Sequence, residues 1–206
     1  MHITPEDHTA IAAAIRTAEQ RTSGQLVCVL AHASSGYAYV PVLWASLLAL
    51  ALPWPLIYLT PWSVERIFLV QLAVFIGAGL LFSWAPLRHW LVPRRVQHAR
   101  AHHAALEQFY LRHASHTANR AGVLIFVSLA ERYARIIADE AIAAKVHNAE
   151  WQDAIDALTG HMRDGRIAAG FVAAIERCGA VLAEHAPPDG SPDGSPDVLP
   201  DRLYVM

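Results

Sequence analysis

The sequence predicts an α/β protein, an α/β/α sandwich around a small mixed sheet, interrupted by a transmembrane helical hairpin. Three observations carry this. Short apolar runs of strand length, Gln25–Ala31, Arg120–Leu129 and Tyr133–Ala138, alternate with longer stretches of helical periodicity. Only Ala130, Glu131 and Arg132 separate the last two runs, which forces an antiparallel pair, because a parallel crossover needs roughly a dozen residues or more. The chain also carries no Asp, Glu, Lys or Arg from Thr22 to Val64 and, after Glu65 and Arg66, none from Ile67 to Leu87.

The elements follow in order. Thr4 is a good N-cap, Pro5 suits the first helical position, and Asp7 completes a capping-box pattern, so a helix is expected from Pro5 to about Arg21. Ile11, Ala14, Ile15 and Ala18 give it one apolar face, and Gly24 is placed to end it. Gln25–Ala31 then reads as a buried strand. Val40–Leu59 and Ile67–Leu87 each supply the roughly 20 apolar residues that a membrane span needs. Pro53 predicts a bend in the first span. Ala45 with Ala49, and Ala73 with Gly77, form small-xxx-small pairs that permit close helix approach. Neither span contains an acidic or basic side chain, which favours an anchor over a transporter.

Beyond the hairpin, Pro93 starts a His- and Arg-rich helix to about His113, packing through Ala101, Ala105, Leu106, Phe109 and Tyr110. The strand pair follows, with Glu131 and Arg132 expected in an exposed turn. Helices are then expected over Asp139–Val146, over Asn148–Met162 with Asn148 as cap, and over Arg166–His185. The boundaries are therefore 1–36 with 93–185 for a discontinuous soluble domain, 40–90 for the hairpin, and 186–206 for a flexible tail containing a DGSP duplication, with re-docking of its end, Val198–Val205, as a strand or helix turn the less favoured alternative.

Composition excludes several function classes. A net charge of −2 is not the footprint of a nucleic-acid binder. Two cysteines, Cys28 and Cys178, have no metal spacing and imply no disulfide framework. The sequence holds no G-x-S-x-G elbow, P-loop or dinucleotide fingerprint. His98 with His102, and His103 with Glu107, could share a metal on one helical face, but no HExxH motif or nearby Cys supports them.

The order of elements, and the segments Ala18–Ala31 (AEQRTSGQLVCVLA), Thr117–Ala144 (TANRAGVLIFVSLAERYARIIADEAIAA) and Trp151–Ile175 with Gly165 and Gly170, resemble the TPM domain family. The middle segment is the most specific, joining a Gly-led buried strand, a Glu-Arg turn, a paired strand and an acidic helix start. The family includes thylakoid-lumen proteins linked to photosystem II repair and many bacterial membrane proteins, and the inserted hairpin looks like the bacterial membrane branch. The resemblance implies an α/β/α sandwich and, for some members, calcium binding or weak acid-phosphatase activity.

A calcium or other divalent site would need clustered oxygen ligands. The candidates are Asp139 and Glu140 at a strand-to-helix exit, with Thr22, Ser23 and Gly24 as a ligand turn; each also has a structural reading, Asp139 as a helix cap above all. Arg88, Arg94, Arg95 and Arg100 crowd the exit of the second span, where they suit contact with anionic headgroups. Arg16 and Arg21 precede the first span, and the loop carries only Arg66, so positive-inside logic puts both termini in the cytoplasm of a bacterial inner-membrane protein. The favoured reading is a membrane-anchored interaction or assembly module, with the bilayer and a protein as partners and no required cofactor. The alternatives are a calcium-dependent phosphatase-like hydrolase and a subunit of a larger membrane complex.

Overall fold

A computed structural model describes residues 3–33, 39–84, 92–113, 122–188 and 201–206. The chain divides into two compact units, residues 1–34 with 100–206, and residues 35–99. The first unit is thus assembled from sequence on both sides of the second.

Helix α1 (Pro5–Glu19) opens with the predicted capping box: the Thr4 hydroxyl accepts the Asp7 N–H at 3.2 Å, and the Asp7 carboxylate accepts the Thr4 N–H at 2.9 Å. The hydrogen bond from the Thr4 backbone, seconded by the Thr4 side chain, holds the Asp7 carboxyl below its ordinary pKa. Strand β1 (Gln25–Ala31) pairs in parallel with β2 (Gly122–Ser128), from Gln25 opposite Gly122 to Ala31 opposite Ser128. Strand β3 (Tyr133–Ala138) runs antiparallel to β2, as the shortness of the connection demanded.

A fourth strand corrects the sequence reading. Leu203–Val205, assigned above to a flexible tail over 186–206, forms β4 and adds in parallel to β1, giving the order β3-β2-β1-β4. The less favoured alternative, re-docking of the tail's end, is the one found, because three residues are too few for a periodic signal to decide it. Their affinity for the sheet comes from Leu203, which is 3% exposed within the core. Residues 189–200 of the expected tail lie outside the described residues.

Alternating strand residues feed two cores. Leu26, Cys28, Leu30, Val123, Ile125, Val127 and Ile136 meet α1, α7 (Asn148–Arg163) and α8 (Ile167–His185) on one face. Val29, Ala31, Leu124 and Phe126 meet Ala105 and Phe109 of α5 (Arg94–His113) on the other. Burial on both faces is why these strands read as continuous apolar runs. The result is the predicted α/β/α sandwich.

Close approach fixes the helices. A Cβ on Gly179 of α8 would lie 2.8 Å from the Ala18 Cβ of α1, and one on Gly170 would lie 2.9 Å from the Leu158 carbonyl oxygen of α7. Gly165, at φ 77°, makes the left-handed turn between α7 and α8. Cys28 and Cys178 are free and fully buried in the same core; burial pushes the Cys178 thiol up to about 12 and the Cys28 thiol well above its usual value.

Smaller expectations shift. Helix α6 is only Glu140–Ala143, and α7 takes His147, not Asn148, as its N-cap, with the Glu150 carboxylate accepting the His147 N–H at 3.4 Å. Tyr110 is 66% exposed, because α5 turns Ala101 and Ala105 inward instead.

The second unit holds α2 (Tyr39–Ala51), α3 (Pro53–Leu59) and α4 (Val64–Phe82). Helices α2 and α3 continue each other across a break at Leu52, where Pro53 removes a backbone donor. Together they span 21 residues and α4 spans 19, each with mean hydropathy 1.9 and long and apolar enough to cross a membrane. Ala45 and Ala49 are buried at the α2–α4 packing, as expected, but Ala78 is the buried small residue of α4, while Ala73 and Gly77 face outward. Large apolar side chains cover the outside: Leu50 is 67% exposed, Leu59 80% and Leu80 73%. Contiguous apolar surface is uncommon on soluble monomers.

Candidate functional site

The parallel pair β1–β2 gives the sheet two chemically different edges. At the edge where β1 and β2 begin, β3 ends, so the structure brings Asp139 and the Thr22–Gly24 turn to the same side. They are not, however, gathered into a site. Strands β3 and β1 flank β2, which sets their ends about 10 Å apart at ordinary strand spacing.

Each group there has a structural task. The Thr22 hydroxyl donates toward the Ala186 carbonyl at 2.6 Å and the Leu182 carbonyl at 3.2 Å, and accepts the Gly24 N–H at 3.0 Å. The Ser23 N–H donates to the same Ala186 carbonyl at 3.0 Å. The turn therefore clasps the C-terminus of α8, whose last carbonyls have no partners within the helix. Asp139 caps α6: its carboxylate accepts the Glu140 N–H at 2.7 Å, and its own N–H donates to Gly122 at 2.9 Å. Glu140 is exposed. Among the described residues, no three His, Cys, Asp or Glu side chains are clustered to hold a metal.

The opposite edge, where β1 and β2 end, carries what the sequence reading missed. Glu131 was expected in an exposed turn, yet it is 3% exposed and accepts a hydrogen bond from the fully buried hydroxyl of Ser128. The next residue, Arg132, adopts φ 49°, the left-handed region that non-glycine residues rarely enter. Folding Glu131 inward beneath the turn requires that reversal. A cavity of about 590 Å³ opens beside it, lined by Val127, Ser128, Arg132, Tyr133, Thr159 and Arg163 among others. Ligands of α/β sheets collect at the carboxyl ends of parallel strands, and strained backbone clusters at such places. Its lining residues combine Arg132, Tyr133, Thr159 and Arg163 with the apolar Val127, Leu129, Ala134 and Met162. The available signal was the acidic residue itself, set in the short turn after a strand that is apolar except for its last residue, Ser128.

Among the described residues, the histidines of α5 belong to no group of three or more possible metal ligands. His102 lies against the sheet with its Nδ1 buried and without a hydrogen-bond partner, while His98 and His103 are exposed. Burial, then the positive charge of Arg135 and the neighbouring His103, lower the His102 pKa. Arg94 and Arg95 stand exposed in the first turn of α5, and Arg100 follows two turns on. Arg88 lies outside the described residues.

Comparison with known proteins agrees with this architecture. Residues 94–181, from the start of α5 into α8, match the model of the TPM domain. No curated protein matches the chain. Among solved structures, the NMR structure of the BA42 protein from the psychrophilic bacterium Bizionia argentinensis is similar, with a TM-score of 0.61 at 19% identity, covering 100% of this chain and 97% of that one. At that identity the likeness is one of fold. Strands β2 and β3 and the helices that pack on them lie within the segment that matches the TPM-domain model.

Proposed function

We propose that this chain is a membrane-anchored TPM-domain protein whose α/β body serves as a protein-interaction or assembly module at the cytoplasmic face of a bacterial inner membrane. The observation that carries the reading is where the apolar helices fall. They interrupt one sheet between β1 and β2, strands that pair along seven residues. Two crossings return the chain to the side it left, so a single folded body can be completed across the interruption; one crossing would divide it.

Charge supports the orientation. Arg94, Arg95 and Arg100 follow the second apolar helix, and the short loop between the helices holds few basic residues. Arg94 and Arg95 occupy a helix N-terminus, where the macrodipole disfavours cations, so helix stability does not account for them and anionic headgroups do. An interaction module needs no catalytic constellation, and the outward apolar surface of α2–α4 needs a bilayer.

The test is cysteine accessibility in intact cells. Ser63→Cys, between the apolar helices, is expected to react with a membrane-impermeant maleimide before lysis, and Ser23→Cys only afterwards when locally opened. Labelling of Ser63→Cys only after lysis would reverse the orientation. Complete extraction of the chain by alkaline carbonate would remove the anchor altogether.

A further inference from the structure

We propose that the edge of β1 is a strand-binding groove, occupied in cis by the chain's own residues 201–206 and open to an extended segment of a partner protein in their place. This rests on the interaction-module reading and names where the partner binds. Strand β1 has β2 along one side for its whole length; on the other, among the described residues, Leu203–Val205 pair with Cys28–Leu30 and Met206 bonds Leu30 and His32.

The seated segment displays the recognition rules of the groove. Its backbone is read by hydrogen bonds from Met206 N–H to the Leu30 carbonyl at 2.9 Å and from His32 N–H to the Met206 carbonyl at 2.8 Å, with His32 Nδ1 3.3 Å from the same oxygen. Leu203, opposite Cys28, enters the core between the sheet and the helices; Tyr204 packs on the other face, with the Arg202 guanidinium 4.9 Å over its ring. Asp201 meets Arg16 of α1 at 3.7 Å. Val205 is 44% exposed and contributes little. Main-chain pairing with one deep side-chain pocket is the physics of β-strand addition. The partner segment therefore has the pattern acidic, any residue, aliphatic, aromatic, running parallel to β1.

Residence in cis depends on covalent attachment as much as on contacts. Residues 201–206 belong to the same chain as β1, so the segment competes as an intramolecular ligand, and a partner segment must match its Leu203 and Tyr204 contacts to replace it.

The experiment uses the full chain in detergent and a fluorescent peptide of sequence Asp-Arg-Leu-Tyr-Val-Met. The peptide is expected to bind the Leu203→Asp chain at least tenfold more tightly than the wild type, in which the tethered copy competes; a peptide with Asp in place of Leu is expected not to bind. Equal affinity for both chains, or no binding to a Leu203→Asp chain with native circular dichroism, would overturn the proposal. Should Leu203→Asp not fold, a protease site placed between residues 187 and 200 and cut after folding serves instead: the labelled peptide must replace the cut segment, and retention of that segment under excess peptide counts against the groove. Crosslinking in membranes separates the two levels of inference. A partner captured in equal amount by wild type and Leu203→Asp sinks the groove and leaves the module, whereas no captured partner sinks the module.

Discussion

The contact between Gly179 and Ala18 tests most directly whether sequence before and after the apolar helices forms one body, since α1 precedes them and α8 follows. The perturbation is Gly179→Ala. Its new Cβ would meet the Ala18 Cβ at 2.8 Å, against about 3.5–4.0 Å for a comfortable carbon contact, so the two helices must part by about 1 Å. Overpacking of this kind costs about 1–3 kcal/mol, and the gain from replacing a helical glycine by alanine returns about 1 kcal/mol. The net loss expected is about 0–2 kcal/mol. Ala18→Gly alone costs about 1 kcal/mol through helix entropy. The double variant places the methyl group on the other helix, removes the clash and comes back near wild type, so the coupling is about 1–3 kcal/mol and favourable. Urea titration of the detergent-solubilised chain, read by far-ultraviolet circular dichroism and extrapolated to water, measures each corner of the cycle. Additivity within about 0.5 kcal/mol, the behaviour of independent sites, would refute direct packing of α1 on α8.

Further outcomes follow from the same geometry. Glu131→Ala leaves the buried Ser128 hydroxyl without its acceptor and is expected to cost about 1–3 kcal/mol; unchanged urea stability would show that Glu131 is not buried. Asp139→Ala removes the α6 cap, at about 1 kcal/mol, and any calcium-dependent shift in Tm should be the same in both chains; abolition of that shift by Asp139→Ala would restore this carboxylate as a ligand. Leu72→Lys puts a charge near the middle of α4, where insertion costs about 2.5–3.5 kcal/mol, so the alkaline-resistant membrane fraction should fall, and an unchanged fraction would argue against a spanning helix. His102 titrates below its ordinary pKa, so the unfolded chain binds more protons near pH 6. Its contribution is full above the unfolded value of about 6.5 and is lost as pH falls through the lowered folded value; His102→Asn should flatten that slope, and an unaltered slope would assign it to other groups.

Local chemistry explains what the sequence made legible. The Thr4–Asp7 box, Pro53 and Gly165 act within a few residues of themselves, and the two-sided burial of β1 and β2 leaves runs that can be little but strands. The chain's interior is also readable because β2 and β3 are too close to pair any other way. What escaped depends on partners distant in sequence. Leu203 becomes a strand residue only against Cys28, and no pattern within Leu203–Val205 announces it. Thr22 looked like a ligand turn because its neighbours suggest one; its occupation by the end of α8, some 160 residues on, is visible only in three dimensions. Glu131 was judged by the usual exposure of turn carboxylates, whereas the left-handed Arg132 folds it inward onto Ser128.

The place of the apolar insertion follows from the same topology. Of the connections within the sheet, the β2–β3 turn is set by a tight antiparallel register and cannot lengthen without losing the Glu131–Ser128 contact. The parallel β1–β2 pair requires a long crossover in any case. Extending a minimal crossover of roughly a dozen residues to the roughly 90 found here adds about 2 kcal/mol of loop-closure entropy, because that cost grows only with the logarithm of length. The added cost falls on the docking of α1 and β1 onto sequence that lies beyond the insertion. Burial of Ile11, Ile15, Leu26, Cys28 and Leu30 among α7, α8 and β2 supplies what offsets it, at about 1.5–3 kcal/mol for each large aliphatic side chain fully buried. An insertion tolerated on those terms must also bring its two ends back to one body. Two helices that both crossed a bilayer would do so, whereas a single crossing would leave β1 and β2 on opposite sides of it.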